Sequence, residues 1–106
     1  MKDELRQFAL KVKKLRDKQK LYFRFRDKKL LEECRDLEQG IDAYMTEISP
    51  ETMMKFGHIV SDMRAFQKIY FRTFSYEAKD KAMALERAVD EEVNKILNPN
   101  TQINLF

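Results

Sequence analysis

Apolar side chains recur along this chain at alternating spacings of three and four, the stripe of an amphipathic helix. The first stripe runs through Leu5, Phe8, Val12, Leu15, Gln19 and Tyr22, and the second through Leu30, Cys34, Leu37, Ile41, Tyr44 and Ile48. A third follows at Met53, Phe56, Val60, Met63, Gln67 and Tyr70, extended by Phe74. The fourth is Ala78, Ala82, Leu85, Val89 and Ile96. The near-heptad spacing suits left-handed bundle packing. Turn chemistry separates the stripes. Ser49-Pro50-Glu51 supplies an N-cap, a proline at the first helical position and an acid in the first turn. Asp27 and Ser75 are good N-cap types, and each follows a basic, aromatic helix end. Asn98-Pro99-Asn100 ends the last helix. The predicted spans are 2–26, 28–48, 50–74 and 76–97.

The second half repeats the first at an offset of 48 residues. Phe8 matches Phe56, Val12 matches Val60 and Arg16 matches Arg64. Gln19-Lys20 matches Gln67-Lys68, and Tyr22-Phe23-Arg24 matches Tyr70-Phe71-Arg72. Leu37-Glu38 and Asp42 return as Leu85-Glu86 and Asp90. A period of this size marks a helical repeat, and two copies are too few for a solenoid. The expected fold is all-α: a four-helix bundle over residues 1–97, built from two tandem antiparallel hairpins at about 2–48 and 50–97. Residues 98–106 form a tail.

Two polar features interrupt the stripes in both copies. Gln19 and Gln67 occupy core-type positions, so each amide needs a partner, and the two are expected to meet near a pseudo-two-fold axis. Their role reads as fixing register, so joint replacement by Leu is expected to be tolerated or even stabilising. Arg16 lies opposite Glu38 if the first hairpin turns near residue 27, and Arg64 lies opposite Glu86 in the second. Both are expected to pair within their own hairpin.

Composition narrows the classes. With 37% charged residues, two glycines and two prolines, the chain favours long helices over sheets. No apolar run approaches the ~18–20 residues of a membrane span, and no apolar segment of the secretory type follows the N-terminus. A single cysteine, Cys34, excludes an internal disulfide and suits a reducing cytoplasm. Enzymatic chemistry finds little footing. His58 is the only histidine and lies off the stripe, so neither a metal site nor a di-iron Glu-x-x-His set is expected. Cys34 sits on the stripe, as inert buried thiols do. Gly40 and Gly57 are isolated within helical patterns and cannot form a phosphate loop. No catalytic residue, cofactor or metal is expected.

Charge is unevenly distributed although the net is only +3. Between Lys11 and Lys29 stand ten Lys/Arg and two Asp, while Leu30–Glu51 holds seven acids and one Arg. A basic helix thus precedes an acidic one, and mutual neutralisation is the first expectation. The alternative is a nucleic-acid-binding module in which Lys13, Lys20, Arg24 and Lys28 track phosphates and Tyr22, Phe23 and Phe25 stack on bases. Against it, the second copy keeps the aromatics and loses most of the cations.

The tail ends Gln102-Ile103-Asn104-Leu105-Phe106. This resembles the short motif, typically Gln-Leu-(Ser/Asp/Asn)-Leu-Phe, by which bacterial polymerases and repair factors bind the replicative sliding clamp. Gln, Leu and Phe match in place and Ile103 replaces the first Leu. The resemblance covers five of 106 residues. It implies that Gln102 meets a polar pocket rim while Ile103, Leu105 and Phe106 fill an apolar cleft. The implied function is a non-enzymatic adaptor or modulator acting on the bacterial clamp, in a bacterium or a phage. The other readings are the nucleic-acid module and a structural oligomeric bundle, including a homodimer by hairpin exchange. In the last of these, Leu105 and Phe106 fold back on the bundle or contact a neighbouring subunit.

Overall fold

The computed structural model describes residues 2–99. Four helices form an up-down-up-down bundle: the first at Lys2–Phe25, the second at Lys28–Tyr44, the third across 50–73 and the fourth at Tyr76–Leu97. The third is one rod in three parts. It begins with an α-turn at Pro50–Thr52, widens into a π-helical turn at Met53–Gly57 and continues as His58–Thr73. The all-α hairpin repeat read from the stripes is therefore the observed architecture. Among the described residues no helix is long and apolar enough to cross a membrane.

The caps fall where the turn residues placed them. Asp27 Oδ1 accepts from the Lys29 amide at 2.7 Å, Ser49 Oγ from Thr52 at 3.2 Å and Ser75 Oγ from Ala78 at 3.4 Å. Each satisfies a backbone donor that the first helical turn leaves free. Helices one and three both end in a left-handed residue at the same repeat position, Arg26 with φ 55° and Phe74 with φ 54°. Glycine usually fills this place, because a Cβ is crowded there. The second helix stops at Tyr44 rather than 48. Thr46 ends it: both its amide (3.1 Å) and its hydroxyl (2.7 Å) donate to the Ala43 carbonyl.

Glu4 ties the start of the first helix to the cap of the third. Its carboxylate accepts from the Ser49 amide at 3.1 Å, from the Ser49 hydroxyl at 2.7 Å and from the Thr52 hydroxyl. The bonds from Thr52 and then Ser49 hold the Glu4 carboxyl below its ordinary range. At Gly57 an added Cβ would lie 2.8 Å from Met53 Sδ and 2.9 Å from Ile48 Cδ1, so these two side chains would have to shift to admit it.

The core is arranged about a pseudo-two-fold axis along the bundle. Helices one and three face each other across it, and equivalent residues meet. Phe8 and Phe56 stack edge-on with centroids 5.4 Å apart, and Val12, Val60, Leu15 and Met63 are fully buried above them. Helices two and four close the sides with Ile41, Val89 and Val93. One layer further on, the core turns polar.

Candidate functional site: a symmetric polar layer and the cavity above it

Gln19 and Gln67 meet on the pseudo-two-fold axis, 5% and 4% exposed. Each amide donates to the other's oxygen, at 3.3 and 3.2 Å. The second N–H of Gln19 goes to Glu38 Oε2 at 2.9 Å, and that of Gln67 to Glu86 Oε2 at 2.8 Å. Each oxygen also accepts from the arginine one turn earlier on its own helix, Arg16 at 2.7 Å and Arg64 at 2.8 Å. Two donors and two acceptors per amide are thus all engaged, the full capacity of the group.

The arginines correct the expectation of pairing within each hairpin. Arg16 grips Asp90 with Nε at 2.9 Å and Nη2 at 3.2 Å, and Glu86 lies 3.8 Å away. Arg64 grips Asp42 at 2.9 and 3.1 Å, with Glu38 at 3.8 Å. Each guanidinium crosses to the other hairpin. Position 16 precedes position 19 by three residues, about 60° around the helix. Gln19 therefore reaches the helix on one side and Arg16 the helix on the other. Lys20 and Lys68 add a second cation to the same two aspartates, at 3.1 and 3.0 Å. Four cations meet four carboxylates, and no buried side-chain nitrogen or oxygen among the described residues lacks a partner. Burial raises the Asp42 carboxyl, but bonds from Arg64 and Lys68 outweigh it and hold the group below its ordinary value.

Beyond the glutamine pair, the bundle opens at the hairpin-tip end into a cavity of about 310 Å³. Gln19, Gln67, Glu38 and Glu86 form its floor. Its walls are largely apolar, with Tyr22 and Phe23 facing their equivalents Tyr70 and Phe71. Cys34, 3% exposed, lies in the wall. Burial, then the charges of Glu38 and Glu33, raises its thiol above the ordinary value, so it stays protonated and unreactive. Arg26 and Lys79 stand at the mouth. The Arg26 guanidinium lies 5.1 Å from the Phe23 ring centre and 5.5 Å from that of Tyr22. Exposed apolar side chains crowd this end, among them Phe25, Phe74 and Tyr76 at 62%, 70% and 82%.

The four cations singled out for nucleic acid separate into two kinds. Lys13 is held by Asp17 at 2.8 Å and Lys20 by Asp90. Arg24 and Lys28 are exposed at the tip, and Arg24 lies 5.5 Å over the ring of the equally exposed Phe25. Gln102, Ile103, Leu105 and Phe106 lie outside the described residues. His58 is exposed, with Nδ1 3.4 Å from the Met53 carbonyl. Among the described residues no three His, Cys, Asp or Glu side chains cluster to hold a metal ion.

The stripe could not reveal the cavity, but the repeat held a signal. Its two copies part company at Arg26 and Phe74, Leu31 and Lys79, and Cys34 and Ala82, all but Phe74 lining the opening. No family model matches this chain, and comparisons with curated proteins and with solved structures also give no match.

Proposed function

We propose that this chain is a non-enzymatic helical adaptor that docks on the bacterial replicative sliding clamp through Gln102, Ile103, Leu105 and Phe106. The observation that carries the reading is the run Gln102-Ile103-Asn104-Leu105-Phe106, placed beyond a helix that ends at Leu97. One fact is in keeping with it: the buried ionisable groups of the described bundle are spent on one another. The bundle then acts as a carrier, and the cytoplasm, where the clamp works, is its place. Leu105→Ala with Phe106→Ala should lower affinity for a purified bacterial clamp by at least tenfold, since apolar anchors dominate small interfaces. Helicity and melting temperature should stay unchanged. Unchanged clamp affinity in the double variant would refute the reading. A large drop in melting temperature would favour the tail as part of the core.

The exposed tip supports a second reading. Arg24 and Lys28 flank Phe23 and Phe25, all exposed, which is the basic and aromatic mixture that single-stranded nucleic acid binds. Binding to a short single-stranded DNA should then fall steeply with salt and vanish in the Arg24→Glu, Lys28→Glu variant.

A further inference from the structure

We infer that the cavity at the hairpin-tip end is a binding site for a small elongated apolar molecule that carries one anionic group. Depth, lining and charge all bear on the assignment. From the helix end at Phe25 down to Gln19 is six residues, or ~9 Å at 1.5 Å per residue. The volume of about 310 Å³ lies at the lower end of the range for small-molecule pockets. The walls are flat rings and short apolar side chains, which suit an aromatic body in offset or edge contact.

Charge sets the orientation. The floor offers the Glu38 and Glu86 carboxylates, each already bound by a glutamine amide. An anion there would be repelled. At the mouth stand Arg26 and Lys79, and neither has a carboxylate within ion-pair distance among the described residues. Lys20 and Lys68, one layer deeper, are both paired. The molecule's cations are therefore neutralised around the polar layer and left open at the rim. A ligand enters body first and leaves its anionic group between Arg26 and Lys79. This site lies at the far end of the bundle from Leu97, so it stands or falls independently of the tail.

Three probes with one body test it: naphthalene-2-carboxylate, naphthalene-2-methanol and naphthalene-2-methylammonium. Titration calorimetry on the full chain should rank the carboxylate first, with up to about a tenfold advantage over the ammonium from two exposed cations. The Arg26→Glu, Lys79→Glu variant should reverse that order. Bound carboxylate should also shift the ring-proton NMR resonances of Tyr22 and Tyr70, because both line the cavity. The Ala82→Trp variant fills the space and should abolish binding. If that variant fails to fold, the charge-reversal pair still decides. Equal binding of the three probes, no binding at all, or binding that leaves the Tyr22 and Tyr70 resonances unshifted would overturn the assignment.

Discussion

The two hairpins agree inside and differ outside, and the boundary between agreement and difference is a physical one. Around the axis the copies match residue for residue: Arg16 and Arg64, Gln19 and Gln67, Glu38 and Glu86, Asp42 and Asp90. Their hydrogen-bond lengths agree within 0.1 Å at every equivalent contact of the polar layer. On the surface, Lys11, Lys14, Lys18, Lys28 and Lys29 of the first copy correspond to Ile59, Asp62, Phe66, Tyr76 and Glu77 of the second. Every buried group in the layer bonds its counterpart or a side chain of the other half, so a change in one copy leaves an unpaired group in the other. No such constraint acts on solvated lysines. The hairpin tips are free in the same way, and there the copies differ: Arg26, Lys28 and Lys29 of the first stand where the second has Phe74, Tyr76 and Glu77.

The crossed arginines offer the most forceful way to break the symmetry. Arg16→Ala and Arg64→Ala should each destabilise the bundle by about 3 kcal/mol in urea unfolding, since each leaves a partly buried aspartate with a single exposed lysine. The two costs should agree within ~0.5 kcal/mol. A double-mutant cycle sharpens the point: Arg16 should couple to Asp90 by ~1–3 kcal/mol and much less to Glu38. Strong coupling to Glu38 instead would restore pairing within each hairpin.

Gln19→Leu with Gln67→Leu comes next. The register argument from the stripe alone predicts tolerance, but the network reverses that expectation. Leucines would strand one N–H of each arginine and the carboxylates of Glu38 and Glu86, costing ~2 kcal/mol or more. A melting temperature equal to or above that of the parent would refute this.

A smaller effect separates the halves on titration. Asp42 is held below its ordinary value of 3.8 and Glu4 below 4.5. A carboxyl with a depressed folded pKa contributes stability that is present above its unfolded value and lost as pH falls through the folded one. Urea midpoints should therefore be flat above about pH 5 and decline below pH 4.5. Ser49→Ala with Thr52→Val should flatten the Glu4 part of that decline, and Asp42→Asn its own part.

The least change is expected at the left-handed caps. Arg26→Gly should stabilise by up to ~1 kcal/mol, because glycine has no Cβ to crowd at φ 55°. Both gains are offset by lost ring contacts, those of Arg26 with Tyr22 and Phe23 and that of Phe74 with Tyr70 at 5.8 Å, so Phe74→Gly should gain a similar amount. A loss of stability in either variant, read by thermal unfolding, would mean that its ring contacts outweigh the relief at the cap.

The amino-acid sequence by itself determined the helices, their caps and the doubling of the hairpin. Those rest on short-range physics: 3.6-residue periodicity, a side-chain oxygen against a free amide, a proline that cannot donate. It also marked Gln19 and Gln67 as a pair, because a polar residue recurring in an apolar stripe must be satisfied by something. It left open which acid each arginine meets. Periodicity puts Arg16 at the edge of the buried face, between two flanking helices, and Glu38 and Asp90 sit at similar heights on either side. Only the packed bundle decided that the guanidinium crosses to Asp90, since the choice depends on which neighbour Gln19 already occupies. The same holds for the cavity. Stripes predict which faces are apolar, but whether four such faces close or splay at one end is settled by side-chain volume in three dimensions. At the tips, Tyr22, Tyr70, Cys34 and Ala82 leave the space unfilled.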